Sequence, residues 1–190
     1  SWIQDSDLSI HPERPGPEPS PPATMKLSIL HNESPPDPAT ASAIIALTNA
    51  VWPVSDRTTE TLVAELGTGL RETPLKRHYL IHDGAELVAH AVTFSRVIRF
   101  DGGSLEVMAL AEVCVDPARR GEGHGARVVR EAFRQVDEGP FAVSLFQTNV
   151  PGFYERLGAV KVANRFTDST AGDPEANPWW NDHVMVYPAF

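Results

Sequence analysis

Residues 113–129 read VCVDPARRGEGHGARVV, an apolar strand that passes through three alternate glycines directly into a helix. Gly121, Gly123 and Gly125 carry no Cβ, so backbone N–H groups there can approach a ligand closely. The helix that follows opens with N–H groups that have no partner inside it, and with positive partial charge from its aligned peptide dipoles. A glycine turn that opens a helix in this way suits an anion, most naturally phosphate or pyrophosphate. Arg119 and Arg120 add positive charge, in a chain whose formal net charge is −9. The same residues also admit a plain glycine turn with no ligand.

The rest of the chain alternates between helix and strand texture. Residues 26–30, KLSIL, predict a first strand. After Pro38, Ile44, Ile45, Leu47 and Val51 recur at helical spacing, and Trp52-Pro53 ends the run. A second helix is predicted from a cap at Ser55-Asp56, through Leu62, Val63 and Leu66, to Gly67. Strands follow at 78–82, 87–100 and 104–115, separated by the turn signals Asp83-Gly84 and Asp101-Gly102-Gly103. They predict an antiparallel meander. Beyond the glycine turn come an amphipathic helix at 126–136, a buried-type strand at 141–146 and a short helix at 151–157 closed by Gly158. Strands at 160–162 and 184–187 complete a mixed α/β domain of order β-α-α-β-β-β-α-β-α-β-β.

Composition bounds what else the chain can be. At 190 residues it predicts one domain with an appendage. Nine of the 17 prolines fall within residues 1–38, where apolar residues are few. Residues 1–24 therefore predict a disordered, Pro-rich extension, and residues 25–190 a single domain. The extension lacks the basic start and apolar run of a secretory signal. No uninterrupted apolar run reaches about 18 residues, so no transmembrane helix is expected. The single cysteine, Cys114, excludes an intramolecular disulfide and a cysteine-built zinc site, and fits a reducing, cytoplasmic compartment. The acidic balance argues against a nucleic-acid partner.

Three phosphate-binding chemistries meet the glycine turn. A Walker loop needs G-x-x-x-x-G-K-[ST], and neither lysine nor hydroxyl residue stands there. A dinucleotide fingerprint needs G-x-G-x-x-G early in a parallel sheet, whereas this turn gives G-x-G-x-G after an antiparallel meander. The third fits: Arg120-x-x-Gly123-x-Gly125 resembles the [QR]-x-x-G-x-[GA] coenzyme A loop of the GCN5-related N-acetyltransferases. A second stretch, Phe153-Tyr154-Glu155-Arg156-Leu157-Gly158-Ala159, resembles that family's later F-Y-x-x-x-G-[FWA] motif. The resemblance covers roughly residues 40–190. Phe146, eight residues before Tyr154, is similar to the branch that includes aminoglycoside 2′-N-acetyltransferase-like enzymes.

The resemblance implies a twisted, mixed sheet of six to seven strands, splayed at its centre and flanked by about four helices. It implies acetyl transfer from acetyl-CoA to a primary amine of a small molecule or peptide, without a metal. Backbone N–H groups of Arg120, Gly121, Gly123, Gly125 and Ala126 would hold the pyrophosphate, and the backbone of Val113 and Val115 the pantetheine arm. Tyr154 occupies the usual general-acid position, against the alternative of a tyrosine that only packs its helix. Asn149 is a further coenzyme candidate, five residues before Tyr154. Glu112 is the candidate base, with Glu106 the runner-up. Strict alternation puts Glu112 on the face opposite Val113 and Val115 unless a bulge intervenes, and a structural salt bridge is the competing role. Neither a membrane nor a nucleic acid is implied as partner; a homodimer is left open.

Other chemistry-bearing residues carry weaker signals. His78 and His82 are four apart on a strand, which favours packing or surface roles over metal ligation. His90 reads as a sheet residue, Cys114 as a buried strand thiol, and Arg119 as surface. His124 sits at a variable position of the glycine turn, where a coenzyme-phosphate contact is the secondary reading. The loop at 166–183 holds Asp168, Asp173, Glu175, Asp182, Trp179 and Trp180, a set suited either to receiving an ammonium group or to covering the sheet edge. Two rival functions remain: a non-catalytic acyl-CoA sensor, and a nucleotide enzyme that uses the same turn.

Overall fold

The computed structural model describes residues 24–167, 173 and 183–189. Among the described residues, seven strands form one mixed sheet: β1 (Met25–Leu30), β2 (Arg77–Asp83), β3 (Glu86–Phe100), β4 (Gly103–Val115), β5 (Ser144–Thr148), β6 (Val160–Val162) and β7 (His183–Tyr187). Their spatial order is β1-β2-β3-β4-β5-β7-β6. Four helices accompany them among the described residues: α1 (Pro38–Val51), α2 (Thr59–Glu72), α3 (His124–Asp137) and α4 (Pro151–Glu155). The element order and fold class match those read from the sequence.

Local chemistry explains most boundaries. Asp37 caps α1 by accepting a hydrogen bond from the Thr40 N–H at 2.7 Å, with Pro38 in the first turn. The predicted cap of α2 at Ser55-Asp56 is corrected: Thr58 caps it, accepting from the Thr61 N–H at 3.2 Å. Nor does Gly67 end that helix, which runs on to Glu72 because Leu66 and Leu70, one turn apart, are both buried. The strand predicted at 141–146 begins only at Ser144, although Phe141 is buried ahead of it. The glycine-turn helix starts at His124, two residues earlier than predicted.

The sheet is covered on both faces, so its central strands are apolar throughout rather than alternating. Tyr79, Ile81, Met108, Leu110, Phe146 and Met185 pack with Val128, Val129, Ala132 and Phe133 of α3. Leu30, Leu80, Leu87 and Cys114 pack on the other face with Ile44, Ile45, Leu47 and Leu66 of α1 and α2. The strand pairs are antiparallel except β4 with β5, which run parallel. That pairing involves only Met108 with Ser144 and Ala109 with Leu145. β4 continues to Val115 and β5 to Thr148 without further pairing to each other, which leaves a wedge open in the middle of the sheet.

Candidate active site

The wedge brings together the two motifs read from the sequence. On its β4 side the register with β3 slips between His90 and Val92: His90 pairs with Cys114, but Val92 pairs with Ala111. β4 thus holds one extra residue, a β-bulge at Glu112 and Val113, and Glu112 takes φ 51°. Few non-glycine residues occupy that left-handed region, and such conformations cluster at functional sites. The bulge also reverses the alternation. Met108 and Leu110 face α3 before it, and Val113 and Val115 pack against the same cluster after it, while Cys114 faces α1 and α2. Glu112 itself is exposed.

Past β4 the chain is tightly specified. Asp116 accepts a hydrogen bond from the Ala118 N–H at 2.8 Å and donates its own N–H to the Val88 carbonyl at 2.9 Å. A single 3-10 turn, Pro117–Arg119, leads to Gly121 and Gly123 at φ 87° and 85°. Both need the left-handed region, and at both the space where a Cβ would stand is open. α3 then begins with no side-chain cap and no acidic residue in its first turn. Its leading N–H groups are therefore left to a ligand or to water. Gly125 has another role. A Cβ there would lie 3.3 Å from Val115 Cγ2 and 3.6 Å from the Phe153 ring, so its smallness lets α3, β4 and α4 meet.

The charged residues of this turn sort differently from the sequence expectation. Arg120 is exposed and makes no ion pair among the described residues. Arg119, expected at the surface, reaches across to the β2–β3 turn. Its guanidinium lies 2.6 Å from Asp83 and 3.4 Å from Glu86, and its Nε donates to Glu122 at 2.9 Å. His124 is buried, with Nε2 3.0 Å from the same Glu122 carboxylate.

On the β5 side, Tyr154 is buried with its ring 4.7 Å from Phe146 and 4.9 Å from Phe153, centroid to centroid. Burial pushes its phenol up to about 12, so it stays protonated across the neutral range. Asn149 is exposed at the mouth of the wedge, just past Thr148, whose Oγ1 accepts from the Val150 N–H at 3.0 Å. Glu106 does not join the group. It sits six residues before Glu112 on β4, about 20 Å away along an extended strand, and accepts from the Ser95 hydroxyl at 2.5 Å. Asp168, Glu175, Trp179, Trp180 and Asp182 lie outside the described residues, as do residues 1–23.

The buried histidines have found each other. His78 pairs with His90 rather than with His82: their nitrogens are 2.9 Å apart and their rings stack. Cys114 is buried, and its thiol is pushed up to about 12 by that burial and by nearby Glu112. A groove of about 600 Å³ lies at the far edge of the sheet, between the end of β1, the end of α2 and the start of β2, and includes Leu75 and Lys76. None of the residues predicted from the sequence lines it.

A parallel-paired wedge at the centre of a seven-stranded mixed sheet, with a glycine turn and an uncapped helix at its rim, defines an acyltransferase of the acyl-CoA N-acyltransferase fold. The sequence model of the acetyltransferase (GNAT) domain matches residues 35–161, and the chain belongs to that family. The match does not show the aminoglycoside branch. Among solved structures, a GCN5-related N-acetyltransferase from Kribbella flavida superposes with TM-score 0.62 at 16% identity, over 77% of this chain and 36% of its own. This chain thus spans about a third of that protein. ElaA of Escherichia coli gives TM-score 0.57 at 22% identity, over 86% of this chain and 99% of its own. Glucosamine-6-phosphate N-acetyltransferase from Arabidopsis thaliana gives 0.60 at 15% identity, over 78% and 99%. At these identities the likeness is one of fold. A search of curated proteins found no match.

Proposed function

We propose that this domain transfers the acetyl group of acetyl-CoA to a primary amine of a small molecule or peptide. The observation that carries the reading is the wedge: β4 and β5 part after Ala109 and Leu145, with the glycine turn at one rim and Tyr154 at the other. The residues present fit the coenzyme. Open space at Gly121 and Gly123 and an uncapped α3 suit a pyrophosphate on the N–H groups of Arg120, Gly121, Gly123, Gly125 and Ala126. β4 residues past Ala109 have no partner on the β5 side, so the backbone of Val113 and Val115 is free to pair with an extended pantetheine arm. Arg120, exposed and without an ion pair among the described residues, would meet phosphate, and Asn149 is exposed on the β5 side.

The coenzyme supplies the acetyl thioester; this chain supplies position and protons. The incoming amine must lose a proton, and Glu112, exposed at the bulge, is its acceptor, directly or through water. When the C–S bond breaks, the Tyr154 hydroxyl gives its proton to the departing sulfur. Between a phenol near 12 and an ordinary thiolate near 8.5, that transfer is uphill by about 5 kcal/mol. Burial disfavours a thiolate as it does a phenolate, so a sulfur held in the same wedge becomes more basic and the gap narrows. A reducing, cytoplasmic setting accords with the free thiol of Cys114.

The test is release of free CoA, read with a thiol reagent, across a panel of polyamines, amino sugars and peptide amines. Turnover with at least one amine is the expected result. Coenzyme bound without turnover across the panel would replace this reading with that of a non-catalytic acyl-CoA module.

A further inference from the structure

Glu122 is a carboxylate inside a turn suited to an anion, between the two glycines with left-handed backbone. Left free, it would compete with any phosphate for the same N–H groups and repel it. It is not free. Arg119 Nε donates to both of its oxygens, at 3.0 and 2.9 Å, and His124 Nε2 lies 3.0 Å from one of them. Arg119 is in turn anchored to another element: its Nη2 is 2.6 Å from Asp83 and its Nη1 3.4 Å from Glu86, at the two ends of the β2–β3 turn. The Arg119 side chain is only 23% exposed and that of Asp83 14%, so this anchor is partly withdrawn from solvent and less screened than a surface pair.

We propose that Arg119 is a positioning residue for coenzyme binding, a clamp that holds the Glu122 carboxylate against the β2–β3 turn and keeps the open faces of Gly121 and Gly123 clear for an anion. The inference rests on the coenzyme reading of the glycine turn. It adds a residue outside the [QR]-x-x-G-x-[GA] pattern, and it gives the turn a dependence on a hairpin more than 30 residues away. The arrangement is one cation among three carboxylates. Losing the cation leaves the three beside the site where a polyanion binds, with only His124 still holding the one carboxylate that can swing into it.

The experiment is a double-mutant cycle on the full chain, with acetyl-CoA affinity measured by calorimetry and melting temperature recorded for each variant. Arg119→Gln is predicted to weaken acetyl-CoA binding roughly fivefold or more, the loss growing at low salt. Glu122→Gln alone should bind at least as well as the wild type. In the double variant most of the lost affinity should return, which a merely structural role for Arg119 does not predict. Should Arg119→Gln fail to fold, Arg119→Lys carries the same cycle with a smaller loss. If the affinity of the Arg119 variant stays within twofold of wild type, or Glu122→Gln restores nothing, the clamp is overturned. If the wild-type protein itself fails to bind acetyl-CoA, the coenzyme reading falls instead.

Discussion

Nδ1 of His78 lies 2.9 Å from Nε2 of His90, with the rings stacked 5.2 Å apart on the sheet face covered by α1 and α2. Burial holds both rings neutral: His78 falls to about 4 and His90 to about 3 from an ordinary 6.5, with Lys76 adding to both shifts. The unfolded chain takes up these protons near pH 6.5 and the folded chain does not. The pair therefore contributes stability that is fully present above about pH 6.5 and is lost as pH falls from there toward 4. Urea denaturation at pH 7.5 and pH 5 should differ by on the order of 3 kcal/mol, and His90→Gln should flatten that slope. A stability independent of pH across this window contradicts the neutral-pair assignment.

Gly139 closes α3 against Gln135, and a Cβ there would overlap the Gln135 carbonyl oxygen. Relief needs a backbone shift at the residue whose side chain donates to Tyr79 at 2.5 Å and to Thr93 at 2.7 Å in the buried interior. Gly139→Ala is predicted to cost about 1–3 kcal/mol of stability, measured by chemical denaturation. A neutral substitution would show that the end of α3 yields freely.

Tyr154→Phe keeps the ring packing against Phe146 and Phe153 and removes only the proton donor. It should lower kcat at least tenfold with little change in acetyl-CoA affinity. Because burial raises the phenol to about 12, the wild-type rate should show no loss of acid below about pH 10. An unchanged kcat removes Tyr154 from the chemistry and leaves it as packing.

The legibility of this chain follows the range of the forces involved. The glycine turn, α3 and the β2–β3 hairpin are written in neighbouring residues, so their positions were readable to within a few residues. Glu112 was not: its side depends on a bulge set by the register of β4 against β3, which no local pattern reveals. Arg119 reads as surface in the sequence because its anchors, Asp83 and Glu86, are adjacent only after the hairpin folds back. A carboxylate next to a glycine of a phosphate-type turn was the available signal that something must hold it. The packing role read for His78 agrees with its burial, but its partner His90 lies on the next strand, out of reach of local spacing.

On the proposed reading, the wedge between β4 and β5 binds an acyl-CoA. Titration of acetyl-CoA into the full chain by calorimetry tests it most directly. Saturable one-to-one binding with a Kd below about 1 mM is expected, with marked weakening in Gly123→Ala, where the new Cβ strains a φ of 85°. No binding heat at millimolar coenzyme, or equal affinity in Gly123→Ala, would contradict it.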